Sequence, residues 1–153
     1  MESFTDFKFA NSLRLNSYQA ERFGLELDVH VMEGVPPVCV DASKIEQVVT
    51  NLVSNAIEHS KRGSTVTVRL ESDGKKLSFS VEDHGCGIAP ENLERIFNPY
   101  CRMPSTKTRG ASSTGLGMVI ARKIIESHGG EISLESELGK GTTAHFTVPL
   151  AQE

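Results

Sequence analysis

Asn51 and Asn55, four residues apart, and Asp83, closely followed by Gly85 and Gly87, are the residues here best suited to chemistry. They lie in the first two of four short segments: Asn51-Leu-Val-Ser-Asn55-Ala-Ile-Glu-His-Ser60, Asp83-His-Gly85-Cys-Gly87, Thr114-Gly115-Leu-Gly117 and Gly139-Lys-Gly141-Thr142. A stretch containing Arg102, Lys107 and Arg109 separates the second from the third. Asparagine is a mediocre helix former, so a purely structural polar face would favour Glu, Lys or Gln. Its amide oxygen is a hard, neutral ligand that suits Mg²⁺ already carrying phosphate charge. A carboxylate accepts the exocyclic amine of adenine, whereas guanine offers it only a carbonyl at that place. Glycines beside it keep Cβ atoms out of the way of an approaching base. Basic side chains near a helix N-terminus make a cradle for phosphates, because free amides and the helix dipole favour anions there. The set describes a nucleoside triphosphate site that is neither of the common ones. Gly85-Cys-Gly87-Ile-Ala-Pro lacks the third glycine of a dinucleotide fingerprint. Gly110 and Gly115 have P-loop separation, but Leu116 stands where lysine is required.

The elements that must hold these residues are legible in the periodicities. Residues 9–23, with Leu13, Leu15, Tyr18 and Phe23, predict a helix. Leu25, Leu27, Val29 and Val31 alternate with polar residues and predict a strand with one buried face, ended by Pro36 and Pro37. Asp41 caps a long helix running to about Ser60. On that helix Ile45, Val48, Val49, Leu52, Val53 and Ala56 share one arc, and Lys44, Gln47, Asn51, Asn55 and Glu58 share the opposite one. A solvated polar face is the plainer reading of the second arc. Val66, Val68 and Leu70, the turn signal Asp73-Gly74, and Leu77, Phe79 and Val81 predict a hairpin. Period two then puts Asp83 on the inward side, where a turn residue bonding local amides is the plainer alternative. A short helix is expected from Glu91 to Phe97, a mobile loop over 98–114, and a helix from Leu116 to His128 ended by Gly129-Gly130. Strands near 131–137 and 142–149 follow, joined by a hairpin at Gly139-Lys-Gly141-Thr142. The expected fold is α/β: a two-layer sandwich whose mixed, mostly antiparallel sheet is covered on one face by about three helices.

Composition limits the alternatives. The 153 residues fit one domain, and no apolar run approaches the ~20 residues of a membrane span, nor does a signal peptide open the chain. A net charge of −4 argues against general nucleic-acid binding. Cys39, Cys86 and Cys101 lack metal-ligand spacing and read as reduced thiols of a cytoplasmic domain. His84, His128 and His145 are isolated and read as structural.

The order and spacing of the four segments resemble the ATP-binding catalytic domain of sensor histidine kinases, over roughly residues 10 to 150. That family belongs to the superfamily of Bergerat-type folds shared with gyrase, the heat-shock chaperone and the mismatch-repair ATPase. The resemblance implies ATP and Mg²⁺ as ligands, with Asn55 holding the metal and Asp83 the adenine. It extends the nucleotide contacts to Gly85, Gly87, Ile88 and Thr142, to Thr114, Gly115, Leu116 and Gly117 at the phosphates, and to a lid carrying Arg102, Lys107 and Arg109. Glu94-Arg-Ile-Phe97 looks like the segment that anchors that lid. In gyrase-type ATPases a glutamate at the place of Asn51 activates water, and an amide is no general base. This favours phosphoryl transfer over hydrolysis. Glu58 departs from the family pattern, where a lysine often contacts phosphate. None of the five histidines is followed by Glu or Asp, as the family's phosphoacceptor usually is. The implied protein is therefore an excised catalytic domain, or one acting on a histidine in trans, upstream of a response regulator. The alternative is a nucleotide-dependent interaction module without phosphotransfer.

Overall fold

A computed structural model describes residues 2–4, 13–34, 38–93 and 117–149. The elements are β1 (Glu2–Phe4), α1 (Arg14–Arg22), β2 (Glu26–Val31), β3 (Val38–Val40), α2 (Ala42–His59), β4 (Thr65–Ser72), β5 (Lys76–Glu82), α3 (Pro90–Leu93), α4 (Gly117–Ser127), β6 (Glu131–Glu137) and β7 (Gly141–Pro149). Five strands form one sheet in the order β2-β4-β5-β7-β6, and β1 pairs with β3 in a separate two-stranded ribbon. Among the described strands only β2 and β4 run parallel. A parallel pair cannot be closed by a hairpin, and α2 lies within the connection that returns the chain.

The other pairs are antiparallel. The β4–β5 turn forms where expected: Gly74 has φ of +88°, and Asp73 Oδ1 accepts from the backbone N–H groups of Lys75 and Lys76, both at 2.9 Å. Alternation then gives the sheet two unlike faces. Val66, Val68, Leu70, Leu77, Phe79, Val81, Ala144, Phe146 and Val148 are buried against the helices. Phe79 and Phe146 sit opposite each other in register, with ring centroids 5.0 Å apart. The helices α2 and α4 also pack on one another, burying Met118, Ala121, Ile124 and Ile125 of α4. The C-terminal end of α4 closes as a glycine cap: Gly129 has φ of +77°, and the Gly130 N–H donates to the Ile125 carbonyl at 3.0 Å.

Two expectations change. Alternation predicts a buried Val29, yet it is 39% exposed. Its strand β2 is an edge strand with β4 as its sheet neighbour, so its apolar face is incompletely covered. Tyr18, expected among the apolar residues of α1, is 62% exposed, while Leu13, Asn16 and Ala20 are the buried positions. The helix turns a polar residue inward. Asn16 Nδ2 donates to Gln19 Oε1 (3.3 Å) and Ser54 Oγ (3.2 Å), and the Ser54 hydroxyl donates to Gln19 Oε1 at 3.0 Å. The ribbon of β1 and β3 was not foreseen, because three-residue strands show no periodicity.

Candidate functional site

The long helix α2 starts at a braced cap. Asp41 Oδ1 accepts from the Lys44 N–H at 3.3 Å, and the Asp41 N–H donates to His128 Nε2 at 3.1 Å. His128 Nδ1 lies 2.8 Å from the Ile124 carbonyl. A ring nitrogen that accepts from an amide carries no hydrogen there, so the Nδ1–H donates to the Ile124 carbonyl. His128 is structural, as expected, and joins the start of α2 to the end of α4.

The apolar arc of α2 is buried as expected, with Ala42 and Ile57 added. Along the polar arc, Lys44 and Gln47 are exposed but Asn51, Asn55 and Glu58 are half-buried. The gradient arises because the helix end runs into the loop after β5. Ser60 closes the helix with its hydroxyl on the Ala56 carbonyl at 2.6 Å and forms an antiparallel bridge with Gly85. A Cβ on Gly85 would strike the His59 carbonyl. Gly87 has φ of +76°, and a Cβ there would strike the Glu137 carbonyl. These two glycines were expected to make room for a base; the atoms that crowd them are the protein's own backbone.

Asp83 lies inward, 6% exposed, one residue beyond β5. Its N–H donates to the Thr142 carbonyl at 2.9 Å. Its Oδ1 accepts from the N–H of Gly85 at 2.9 Å and of Thr142 at 3.2 Å. The turn-residue alternative is therefore true of Oδ1. Among the described residues no donor reaches Oδ2. Burial pushes the Asp83 carboxyl above its usual value, opposed by the amides of Gly85 and Thr142 and by the nearby His84, while Glu82 adds to the rise.

That shift has a sign for stability. A folded-state value above the unfolded one stabilises the fold fully below about pH 3.8, and the contribution is lost as pH rises through the raised value. At neutral pH the ionised carboxylate is thus a burden on the free protein. Asp83→Asn keeps an acceptor for the two amides and removes the charge. The mutant's urea midpoint, relative to wild type, is expected to rise between pH 4 and 7; a midpoint difference that does not change over this range would refute the burial argument.

The second glycine pair does form a hairpin, between β6 and β7. It also braces the Asp83 loop, since the Gly139 N–H donates to the Cys86 carbonyl at 2.9 Å. Ser136, which belongs to none of the four segments, holds this corner together. Its Oγ accepts from the Ile88 N–H at 2.7 Å, donates to the Gly141 carbonyl at 3.0 Å and lies 2.8 Å from Thr142 Oγ1. Because the Ser136 hydroxyl donates to the Gly141 carbonyl, the Thr142 hydroxyl donates to Ser136 Oγ. The signal was present: after Ile132 and Leu134, period two puts a polar Ser136 on the inward face. The structure thus brings Asp83, Gly85, Gly87, Ile88 and Thr142 into one corner, beside the end of the α2 polar arc. Gly117 opens α4. Arg102, Lys107, Arg109, Thr114, Gly115 and Leu116, the lid over 98–114 and its anchor Glu94–Phe97 lie outside the described residues.

The arrangement fits a nucleotide by the chemistry of its donors. A buried carboxylate with one oxygen occupied and one turned to no described donor suits an amine. The half-buried Asn55 carries a neutral amide oxygen of the kind that suits a hard cation bound to phosphate.

Comparison with known proteins agrees. The family model for histidine kinase-, DNA gyrase B- and HSP90-like ATPases matches residues 40–152. The sensor protein SrrB of Staphylococcus aureus is 39% identical over 109 residues, which are 71% of this chain and 19% of SrrB. The chain thus spans about a fifth of the length of the curated relatives it matches. The catalytic domain of the histidine kinase ThkA superimposes with a TM-score of 0.82 at 30% identity, covering 98% of this chain and 97% of that one. The mycobacterial sensor histidine kinase MprB gives 0.81 at 25% identity, covering 96% of each chain. ThkA solved in complex with the response regulator TrrA gives 0.80 at 26% identity, over 98% of this chain and 42% of that one.

Proposed function

We propose that this chain, which belongs to the family of histidine kinase-, DNA gyrase B- and HSP90-like ATPases, binds Mg-ATP and passes its γ-phosphoryl to a histidine on a separate dimerisation domain. It is an ATP-binding domain of the kind that sensor histidine kinases carry. The observation that carries the adenine site is Asp83, a buried carboxylate whose Oδ1 is saturated by two amides. Its Oδ2 accepts the exocyclic amine, and the corner built by Gly85, Gly87, Ile88 and Thr142 holds the base. The amides of Gly115, Leu116 and Gly117, with Thr114, receive the phosphates at the start of α4, and a cation from Arg102, Lys107 and Arg109 reaches the γ-phosphate.

Asn55 supplies a neutral oxygen to Mg²⁺, which when bound neutralises phosphate charge. Asn51 stands near the transferred group and cannot take a proton from water, so hydrolysis goes unassisted. In the transfer an acceptor nitrogen bonds to the γ-phosphorus, the bond to the β–γ bridging oxygen breaks, ADP leaves, and the imidazole proton passes to solvent. Positioning and charge neutralisation carry the catalysis. None of the chain's five histidines is followed by an acid, which supports an acceptor carried on another domain. A response regulator would receive the phosphoryl group next; the ThkA–TrrA complex supports such a partner. No helix among the described residues is long and apolar enough to cross a membrane, and we place the domain in the cytoplasm, where ATP is available.

Incubation with γ-labelled ATP tests the reading. The chain alone is expected to take up no label and to release little phosphate. A histidine-bearing helical hairpin from the matching kinase should become labelled when added, with an acid-labile, base-stable bond. Rapid phosphate release by the chain alone would sink the kinase reading, and binding without transfer to any such partner would leave an interaction module.

A further inference from the structure

The sheet ends at β2, a strand whose residues complement their own reverse order. It pairs with β4 on one side, and no described strand lies on the other. The Glu26 N–H donates to the Ser64 carbonyl at 3.1 Å, and the Met32 N–H to the Leu70 carbonyl at 2.9 Å. Even-numbered residues therefore turn their backbone groups to β4, and Leu27, Val29 and Val31 turn theirs to the open edge. Edge strands are commonly blunted by lysine, proline or a bulge. This one contains neither lysine nor proline, and its ladder with β4 is unbroken from Glu26 to Val31. On the helix-facing side Val29 is only partly covered. On the other side Asp28 Oδ2 lies 2.8 Å from His30 Nε2, and both side chains are exposed.

We propose that β2 is a contact surface for a second copy of this chain, which adds its own β2 antiparallel about a two-fold axis at Val29. In that register Val29 faces the partner's Val29, and Leu27 faces the partner's Val31. These are the hydrogen-bonded pairs, so the outward backbone groups of all three residues are used. The pairs between them set Asp28 opposite the partner's His30, and His30 opposite the partner's Asp28, at the closer spacing of a non-hydrogen-bonded pair. Each imidazole then stands between two carboxylates, and like groups fall on the diagonals. Sliding one strand by two residues puts Asp28 opposite the partner's Asp28 in one direction, and His30 opposite the partner's His30 in the other. The charge pattern thus selects both the occupant and the register. The contact is isologous and closes on itself, leaving neither copy an open β2 edge. Asp83 follows β5, two strands in from this edge, so the pairing neither uses nor requires the nucleotide site.

Analytical ultracentrifugation at concentrations up to about 1 mM, the range of a small transient contact, is the test. Wild type is expected to shift from monomer towards dimer as concentration rises. Val29→Pro removes the central outward N–H and spares the ladder with β4, a place where edge strands accept proline; it should abolish the dimer. His30→Glu sets acid opposite acid at both flanking pairs and should raise the dimer dissociation constant roughly threefold to thirtyfold. Adding Asp28→Lys to His30→Glu restores opposite charges at each pair and should recover the dimer. Circular dichroism and urea unfolding check that each variant folds; should Val29→Pro not fold, the charge swap decides alone. A wild type that stays monomeric over this range would overturn the proposal. So would a dimer that His30→Glu leaves unchanged, or one that the double variant fails to recover.

Discussion

Asp83→Asn is expected to weaken ATP binding by about 1–3 kcal/mol while leaving the free protein no less stable at neutral pH. The two effects have opposite signs for one geometric reason. Oδ1 is committed to the amides of Gly85 and Thr142, so an asparagine keeps its oxygen there. Its Nδ2 then takes the place of Oδ2 and turns a donor towards the adenine amine. Donor faces donor, and a buried polar group loses its partner. In the free protein the same change removes a charge that burial disfavours. Calorimetry with ATP and adenosine, paired with urea unfolding, separates binding from folding. Unchanged affinity in a folded mutant would take Asp83 out of the adenine site, and loss of both affinity and stability would mark it as structural.

Asn55→Ala is expected to abolish the gain in ATP affinity that Mg²⁺ provides, with adenosine binding intact. The side chain sits half-buried on the polar arc of α2, one turn after Asn51, and alanine favours the helix more than asparagine does. A fall in affinity therefore reports the lost ligand and not a melted helix. The ratio of affinities in Mg²⁺ and EDTA is the measurement. A ratio equal to wild type would place the metal elsewhere.

The strands and the two long helices were legible because their residues alternate or repeat on single faces. Val66, Val68, Leu70 and Leu77, Phe79, Val81 mark two strands by period two, and the cap at Asp41 marks where α2 begins. Burial on α1 was less so. Tyr18 is apolar enough to suggest a core position, yet the helix phase is decided by Leu13, Asn16 and Ala20, where Asn16 meets Ser54 some 38 residues away. Val29 repeats the lesson on β2. Alternation tells which face a side chain joins, but only sheet order tells whether anything covers that face.

By itself the sequence determined the kinds of group present and their local spacing: two amides a helical turn apart, a carboxylate in inward register, glycines at fixed offsets, and the absence of a general base at Asn51. Local geometry follows from such offsets because helix and strand periods are constant. The tertiary structure decided what those groups touch. It placed the Ser60–Gly85 bridge that sets the end of α2 beside Asp83, assigned Gly85 and Gly87 to crowding by backbone carbonyls, and enlisted Ser136 to hold Ile88, Gly141 and Thr142. It also split the roles of the two oxygens of Asp83. None of this has a sequence period, since each contact joins segments whose separation in the chain is unrelated to their separation in space.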